Sequence, residues 1–163
     1  MLKKQFVYGF AGVVLGFSTL TVLAAESNEV AQIRIYAEYG AAWAQNRLGL
    51  IYETGYGGVT PDINKAIYWY RKAAMQGYAP AQCALGGVYL VGKGSVPKDE
   101  KMAVYWYRKS AEQGLSMGQY ALGECYRTGL GVQENEQMAI YWLRKAAENG
   151  SRDAKRMLKL LQR

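Results

Sequence analysis

Apolar and polar positions along the chain follow two alternating patterns, and each has the 3.6-residue period of an amphipathic helix. The first pattern places Leu48, Ile51 and Tyr52 at i, i+3 and i+4. Gly55 stands where this first segment ends, and Asp62 stands where the N-cap of the next segment belongs. The second pattern places small and aromatic residues on one helix face, namely Ala66, Trp69, Tyr70, Ala73 and Ala74. The two patterns predict a helix, a short loop and a second helix.

This pair of patterns occurs three times. The block "AIYWYRKAAMQG" at 66–77 returns as "AVYWYRKSAEQG" at 103–114 and as "AIYWLRKAAENG" at 139–150, at spacings of 37 and then 36 residues. A Leu-Gly-x-x-Tyr segment and a Gly-x-Gly segment precede each copy. Recurrence in step with these landmarks indicates architecture rather than three copies of one active site. We therefore predict an all-α stack of helical hairpins, whose second helices are capped by Asp62, Asp99 and Asn135.

The sequence Tyr-Trp-Tyr-Arg-Lys at 68–72 has two interpretations. It offers stacking rings and cations to a nucleic acid, or else it is a helix with one core face and one solvated face. Tyr70, Tyr107 and Leu143 are equivalent positions, so this place requires apolar volume rather than a phenol. We therefore predict no nucleic-acid partner. We expect Tyr68, Arg71 and Lys72 to face water, and the tryptophans to pack between hairpins, namely Trp69, Trp106 and Trp142.

These blocks resemble Sel-like repeats (SLR), which are relatives of the tetratricopeptide repeat, over about residues 40–150. The resemblance implies a right-handed α-solenoid of antiparallel helix pairs, with repeats at 41–77, 78–114 and 115–150. Residues 26–40 and 151–163 are expected to form capping helices, because the inner faces of a solenoid are apolar. Members of this family serve as adaptors in envelope complexes, in host interaction, or as immunity proteins that neutralise secreted toxins.

The resemblance also implies that the first helix of each pair lines a concave groove, where a protein or peptide partner binds. The stripe opposite the core face varies from copy to copy, as a specific partner would require, and consists of Asn46, Leu50, Glu53, Cys83, Gly87, Leu90, Tyr120, Glu124 and Arg127. We hypothesise an apolar anchor of the partner near Leu90 and charge pairing at Glu124 and Arg127. Gly87 either opens a dip for the partner or relieves a close contact between helices.

The N-terminal segment has the three parts of a signal peptide. Lys3 and Lys4 precede an apolar run from Phe6 to Leu23, and small residues follow before Glu26. Residues 1–25 are therefore predicted to be cleaved, and the mature protein to be periplasmic or secreted. The alternative is an uncleaved helix that anchors the protein in a membrane.

Composition excludes several classes of chemistry. The chain contains no histidine, which removes the Ser-His-Asp and Cys-His arrangements and the histidine zinc sites. We predict no metal, no cofactor and no enzymatic activity. The alternatives are a β-lactamase or other cell-wall-active enzyme, based on Ser95 and Lys98 at the Ser-x-x-Lys spacing, and a peptidoglycan-binding protein. The net charge is +7, or +5 without Lys3 and Lys4, which is too small a surplus to identify a partner.

Cys83 and Cys125 raise the question of a disulfide, because their number is even and export is predicted. They belong to adjacent first helices but to different helix positions. Their offset of five residues adds about 7.5 Å along the axis to the roughly 8–10 Å between helices. Bridged cysteines need Cα atoms within about 7 Å, so we expect two free thiols.

Overall fold

The computed structural model describes residues 26–161. In this range the chain forms eight α-helices and a short 3-10 turn at Tyr56–Gly58, and it contains no strand. The predicted signal peptide at 1–25 lies outside the described residues. The helices are α1 Asn28–Glu38, α2 Ala42–Thr54, α3 Ile63–Met75, α4 Ala79–Val91, α5 Glu100–Glu112, α6 Ser116–Thr128, α7 Glu136–Glu148 and α8 Arg152–Leu161.

Consecutive helices pack against each other along the whole described chain. The most extensive contacts join α2 to α3, α4 to α5 and α6 to α7. Each of these pairs is one copy of the sequence repeat, and α1 and α8 pack at the two ends. The predicted α-solenoid of antiparallel helix pairs is therefore confirmed.

The capping residues predicted from sequence begin the second helices. The Asp99 carboxylate accepts a hydrogen bond from the backbone N–H of Met102 at 2.9 Å, and Asp62 and Asn135 cap α3 and α7 in the same way. Gly55 ends α2 with a φ of 77°, a left-handed conformation that a side chain would disfavour. Local sequence thus fixes where the second helices begin and where α2 ends.

Each helix pair is held at short range by a glycine of its first helix. A Cβ at Gly49 would lie 2.7 Å from the Tyr70 ring, and a Cβ at Gly86 would lie 2.6 Å from the Tyr107 ring. Both rings are almost fully buried, at 3% and 6% exposure. The missing side chain therefore lets the second-helix ring lie flat against the first-helix backbone. Gly123 and Leu143 repeat the contact in the third pair.

A buried glutamine joins successive repeats. The Gln82 side chain donates to the carbonyl of Ala74 at 3.2 Å, which lies at the end of the preceding repeat. Its own oxygen accepts a hydrogen bond from Gln113 at 2.7 Å. Gln45 and Gln119 occupy equivalent places and make equivalent bonds. Because each amide is satisfied on both sides, burial of these polar groups carries no unpaired-group penalty.

A second series of bonds adds a contact to the expectation that Arg71 faces water. Arg71 is exposed, but its guanidinium lies 3.5 Å from the hydroxyl of Tyr89 in the next repeat. Arg108 donates to the Tyr126 hydroxyl at 2.9 Å in the same relation. These arginines therefore bridge neighbouring repeats.

The three repeated tryptophans pack against the core but are only partly buried. Each contacts the preceding tyrosine edge-on, with ring centroids 5.0 Å apart for Tyr105 and Trp106. Tyr68 is half exposed, as predicted. The tryptophans are thus structural, as expected from the repeat, although less completely buried than Tyr70 and Tyr107.

Two adjacent glycines of α4 give a matched test of this packing. Gly86→Ala places a Cβ against the Tyr107 ring and should lower the free energy of unfolding by about 1–3 kcal/mol. Gly87→Ala meets only the Tyr107 hydroxyl, at 3.7 Å, and should be neutral or stabilise by up to about 1 kcal/mol. Urea unfolding of both variants measures the difference. Equal effects at the two positions would contradict the close-approach explanation.

Candidate functional site

The predicted stripe begins on α2, where its three residues have different surroundings. Leu50 is 40% exposed and lines a small cavity of about 100 Å³ with Thr54 and Tyr56. Asn46 is half-buried at the edge of a larger cleft. Leu50 and Asn46 are therefore both accessible at the surface, and their contact with a partner stays a prediction.

Glu53, the third stripe residue of α2, already has partners within the protein. Its carboxylate accepts a hydrogen bond from the Tyr70 hydroxyl at 2.7 Å and pairs with the Lys93 ammonium at 2.8 Å. Burial alone would raise the pKa of Glu53, but the hydrogen bonds from Lys93 and Tyr70 outweigh it and lower that pKa. Glu53 thus connects the first repeat to the loop of the second.

In the middle repeat, the structure corrects the prediction for Cys83. Its side chain is only 8% exposed and packs in the core cluster that contains Tyr107 and Cys125. Cys83 therefore lies beneath the stripe and offers little surface to a partner. Both cysteines are free, as expected, but both are buried and share one cluster rather than facing different sides.

The packing around Gly87 favours one of its two interpretations. A Cβ at this position would meet the Tyr107 hydroxyl at 3.7 Å, which is an ordinary contact. Helix packing therefore does not require glycine here. The residues equivalent to Gly87 are Leu50 in the first repeat and Glu124 in the third. The missing side chain of Gly87 therefore leaves a dip in the stripe beside the half-buried Leu90.

The Tyr107 hydroxyl lies under this dip without a hydrogen-bond partner in the described part of the protein. The equivalent hydroxyl of Tyr70 donates to Glu53, but the residue equivalent to Glu53 in this repeat is Leu90. Burial raises the pKa of Tyr107 well above its usual range, so the hydroxyl stays protonated and able to donate. Tyr107 is 6% exposed as a whole residue, but its hydroxyl is not among the fully buried polar atoms without a partner, so it is a donor at the floor of the dip.

In the third repeat, the two charges of the stripe are paired with each other. Arg127 donates from Nε and Nη2 to the two carboxylate oxygens of Glu124, both at 2.9 Å. Charges of a partner would therefore have to compete with a bidentate ion pair, and the pairing of these residues with a partner stays a prediction. The half-buried Tyr120 lies beside this pair.

The repeat pattern did not predict a cleft of about 600 Å³ that lies next to Asn46. Its walls include Tyr36 of α1, Trp43 of α2 and Tyr78, which precedes α4. The sequence did contain a signal for this cleft. Glu29 and Tyr36 of α1 align with Ala66 and Ala73 of the first repeat, so α1 carries larger residues at two positions that are small there.

Ser95 and Lys98 lie in the loop between α4 and α5, as predicted. The Lys98 ammonium is paired with Glu100 at 2.8 Å. Within residues 26–161, no group of three or more His, Cys, Asp or Glu side chains is placed to hold a metal ion. No helix in the same range has the length and apolar character needed to cross a membrane.

The helix pairs coincide with three matches to the Sel1 repeat family model, at residues 44–78, 79–115 and 116–151. The chain belongs to the Sel1 repeat family. Among curated proteins, none matches it significantly. The resemblance inferred from the repeated blocks is therefore confirmed.

Solved Sel1 repeat structures share the fold. A Sel1 repeat protein of Oxalobacter formigenes is 35% identical with a TM-score of 0.73, and the match covers 82% of this chain and 98% of that one. A protective antigen of uropathogenic Escherichia coli with an SLR fold is 43% identical with a TM-score of 0.71. That match covers 77% of this chain and only 26% of the antigen. Cysteine-rich protein B of Helicobacter pylori, at 24% identity, TM-score 0.66 and coverage of 79% and 94%, shows the fold alone.

The paired state of Glu53 predicts a pH-dependent contribution to stability. Because its pKa is lowered in the folded state, the stabilisation is present above the ordinary carboxyl pKa and is lost as the pH falls through the lowered value. Glu53→Gln should lower the free energy of unfolding by about 1 kcal/mol at pH 7 and by clearly less at pH 3. Urea unfolding at both pH values measures this, with the exposed Glu112→Gln as the control. A pH-independent loss would contradict the role of the charge.

Burial also predicts that the two thiols are unreactive. It raises the pKa of both Cys83 and Cys125 to about 11, so only about one thiol in ten thousand is ionised at pH 7. Ellman's reagent should label neither thiol in the folded protein and both in 6 M guanidinium chloride. Met117→Cys, at a position that is 63% exposed, should add one rapidly labelled thiol. Rapid labelling of the native cysteines would show that they are not enclosed.

Proposed function

We propose that this Sel1 repeat protein is a non-enzymatic interaction module that binds a polypeptide segment along the concave face of its first helices. The observation that carries the proposal is the dip at Gly87, beneath which the Tyr107 hydroxyl has no partner among residues 26–161. The hydroxyl is not among the fully buried polar atoms that lack a partner, so solvent reaches it through the dip. A partner group that enters the dip could replace water as the acceptor of this hydrogen bond.

The first repeat shows within the same molecule what satisfies such a hydroxyl. There the Glu53 carboxylate accepts from Tyr70, and Lys93 balances its charge. The equivalent places hold Leu90 of the middle repeat and Leu130 of the third repeat, both of which pack against the core cluster around Tyr107. The dip therefore favours an uncharged acceptor, such as a backbone carbonyl or an amide oxygen, on an otherwise apolar segment.

The charges around the dip support an apolar rather than an ionic anchor. Glu53 is paired with Lys93 on one side, and Glu124 with Arg127 on the other. These pairs lie at the rim, where they add specificity more than affinity. The centre of the face then supplies most of the binding free energy, as in other protein interfaces.

The N-terminal sequence supports export, so we place this interaction in the periplasm or outside the cell. The partner is then a component of an envelope complex, a host protein or a secreted toxin. These roles share one requirement, which is a protein surface that recognises another polypeptide.

Photo-crosslinking in the producing bacterium tests the proposal. Benzoylphenylalanine in place of Leu50 or Leu90 should give an adduct with one and the same protein. The same probe in place of Tyr105 or Tyr141, which are each 48% exposed on second helices, should not. Gly87→Leu copies the residue of the first repeat and fills the dip, and it should reduce the Leu50 adduct about tenfold or more.

The melting temperature of the Gly87→Leu variant serves as the control, because leucine is compatible with the helix at the equivalent position of the first repeat. Adducts only from the second helices would place the binding surface on the opposite face. An undiminished adduct in Gly87→Leu would remove the dip from the interface.

A further inference from the structure

The first helix pair of the stack is incomplete in the described residues, and the cleft beside Asn46 lies where its missing member would pack. We propose that this cleft binds an amphipathic α-helix of a partner protein, which packs on α1 and α2 as a first helix packs in the complete repeats. The inference rests on the proposed function, binding of a polypeptide, but it concerns a different surface and specifies the secondary structure of the ligand.

Comparison of equivalent positions shows which face of α1 lacks a neighbour. Two positions of each second helix are fully enclosed in all three repeats, at 0% exposure: Ala66, Ala103 and Ala139 at one position, and Ala73, Ser110 and Ala146 two turns later. Ser110 shows what encloses the second position, because it donates to Ala79 in the first helix of its own pair and also packs against Gly118 of the next first helix. On α1 the same positions hold Glu29, which is exposed, and Tyr36, which is 50% exposed. The uncovered face of α1 is therefore the face that receives a first helix elsewhere.

The cleft lies along this uncovered face. Besides Glu29 and Tyr36 it is lined by Ile33 of α1 and by Trp43 of α2, whose ring centroid is 5.6 Å from that of Tyr36. Trp43 is itself 50% exposed. At the rim, Arg47 and Glu29 form an ion pair at 3.7 Å. An apolar floor with a polar rim suits the apolar face of an amphipathic helix.

The repeats also indicate which helix fits. In each complete pair, a glycine of the first helix lies against the ring of Tyr70 or Tyr107, or against the side chain of Leu143. On α1, Ile33 occupies that position, so a partner helix would need a small residue above it. The proposed interface would thus repeat the contact between a small first-helix residue and a large second-helix residue that occurs inside each helix pair.

A second copy of this chain is a poor candidate for the ligand. Its free first-type helix is α8, and α8 carries Lys159 where the other first helices have the close-approach glycine, and Lys155 where they have the buried glutamine. Both lysines are exposed. If α8 of a second copy packed against Ile33 and Trp43, both lysine charges would lose their hydration. This cost disfavours α8 as the ligand of the cleft.

A synthetic helix from the protein itself provides the probe. The peptide has the sequence of residues 115–129 with Cys125→Ser, which forms a first helix in the third repeat. Added to the ¹⁵N-labelled full chain, it should shift the indole N–H signal of Trp43 in a saturable way. Tyr36→Glu should weaken this binding about tenfold, whereas Tyr68→Glu should not, although both tyrosines are 50% exposed.

Two further measurements separate helix docking from other outcomes. The same peptide with Gly123→Leu should bind about tenfold more weakly, because its close-approach residue is now large. Equal binding of the two peptides, or no shift of Trp43 at millimolar peptide, would overturn the proposal. So would a Trp43 signal that moves with protein concentration alone, which would identify a second copy as the occupant. Each of these results leaves the crosslinks at Leu50 and Leu90 unaffected, so the two proposals fail independently.

Discussion

The structure depends on the close approach of two helix backbones at a residue without a side chain. Gly49, Gly86 and Gly123 each let a large second-helix residue fill the space beside the first helix. This contact fixes the distance between the helices of a pair and buries the Tyr70 and Tyr107 rings almost completely. Once the pair is fixed, the remaining faces of both helices are assigned, one to the neighbouring repeats and one to water.

Polar contacts then set the register between pairs. Each buried glutamine bonds a carbonyl of the preceding repeat and an amide of its own, so a shift of one pair along another would leave buried groups unpaired. Apolar contacts alone would tolerate such a shift more easily, because they have no direction. The arginine to tyrosine bonds reinforce the same register nearer the surface.

The candidate surfaces occur where the repeat is interrupted on top of this regular frame. Tyr70 and Tyr107 occupy equivalent positions and differ in one neighbour, a glutamate for one hydroxyl and a leucine for the other. That single difference turns an internally satisfied group into a donor under an open dip. At the end of the stack, Glu29 and Tyr36 stand where the repeats have small buried residues, and they leave an open cleft between helices. Core positions hold similar residues in all three repeats, whereas both candidate surfaces lie where equivalent positions hold different residues.

The sequence alone determined the all-α class, the helix pairs, their caps and the Sel1 repeat family, because these follow from local periodicity that recurs three times. It also suggested a binding stripe on the first helices, which stays a prediction. Only the tertiary structure decided that Cys83 is enclosed, that Arg127 and Glu124 are paired with each other, and that the Tyr107 hydroxyl has no partner within residues 26–161. These properties depend on which side chains of different helices meet, and helical periodicity gives the face of a residue but not the identity or distance of what lies opposite it.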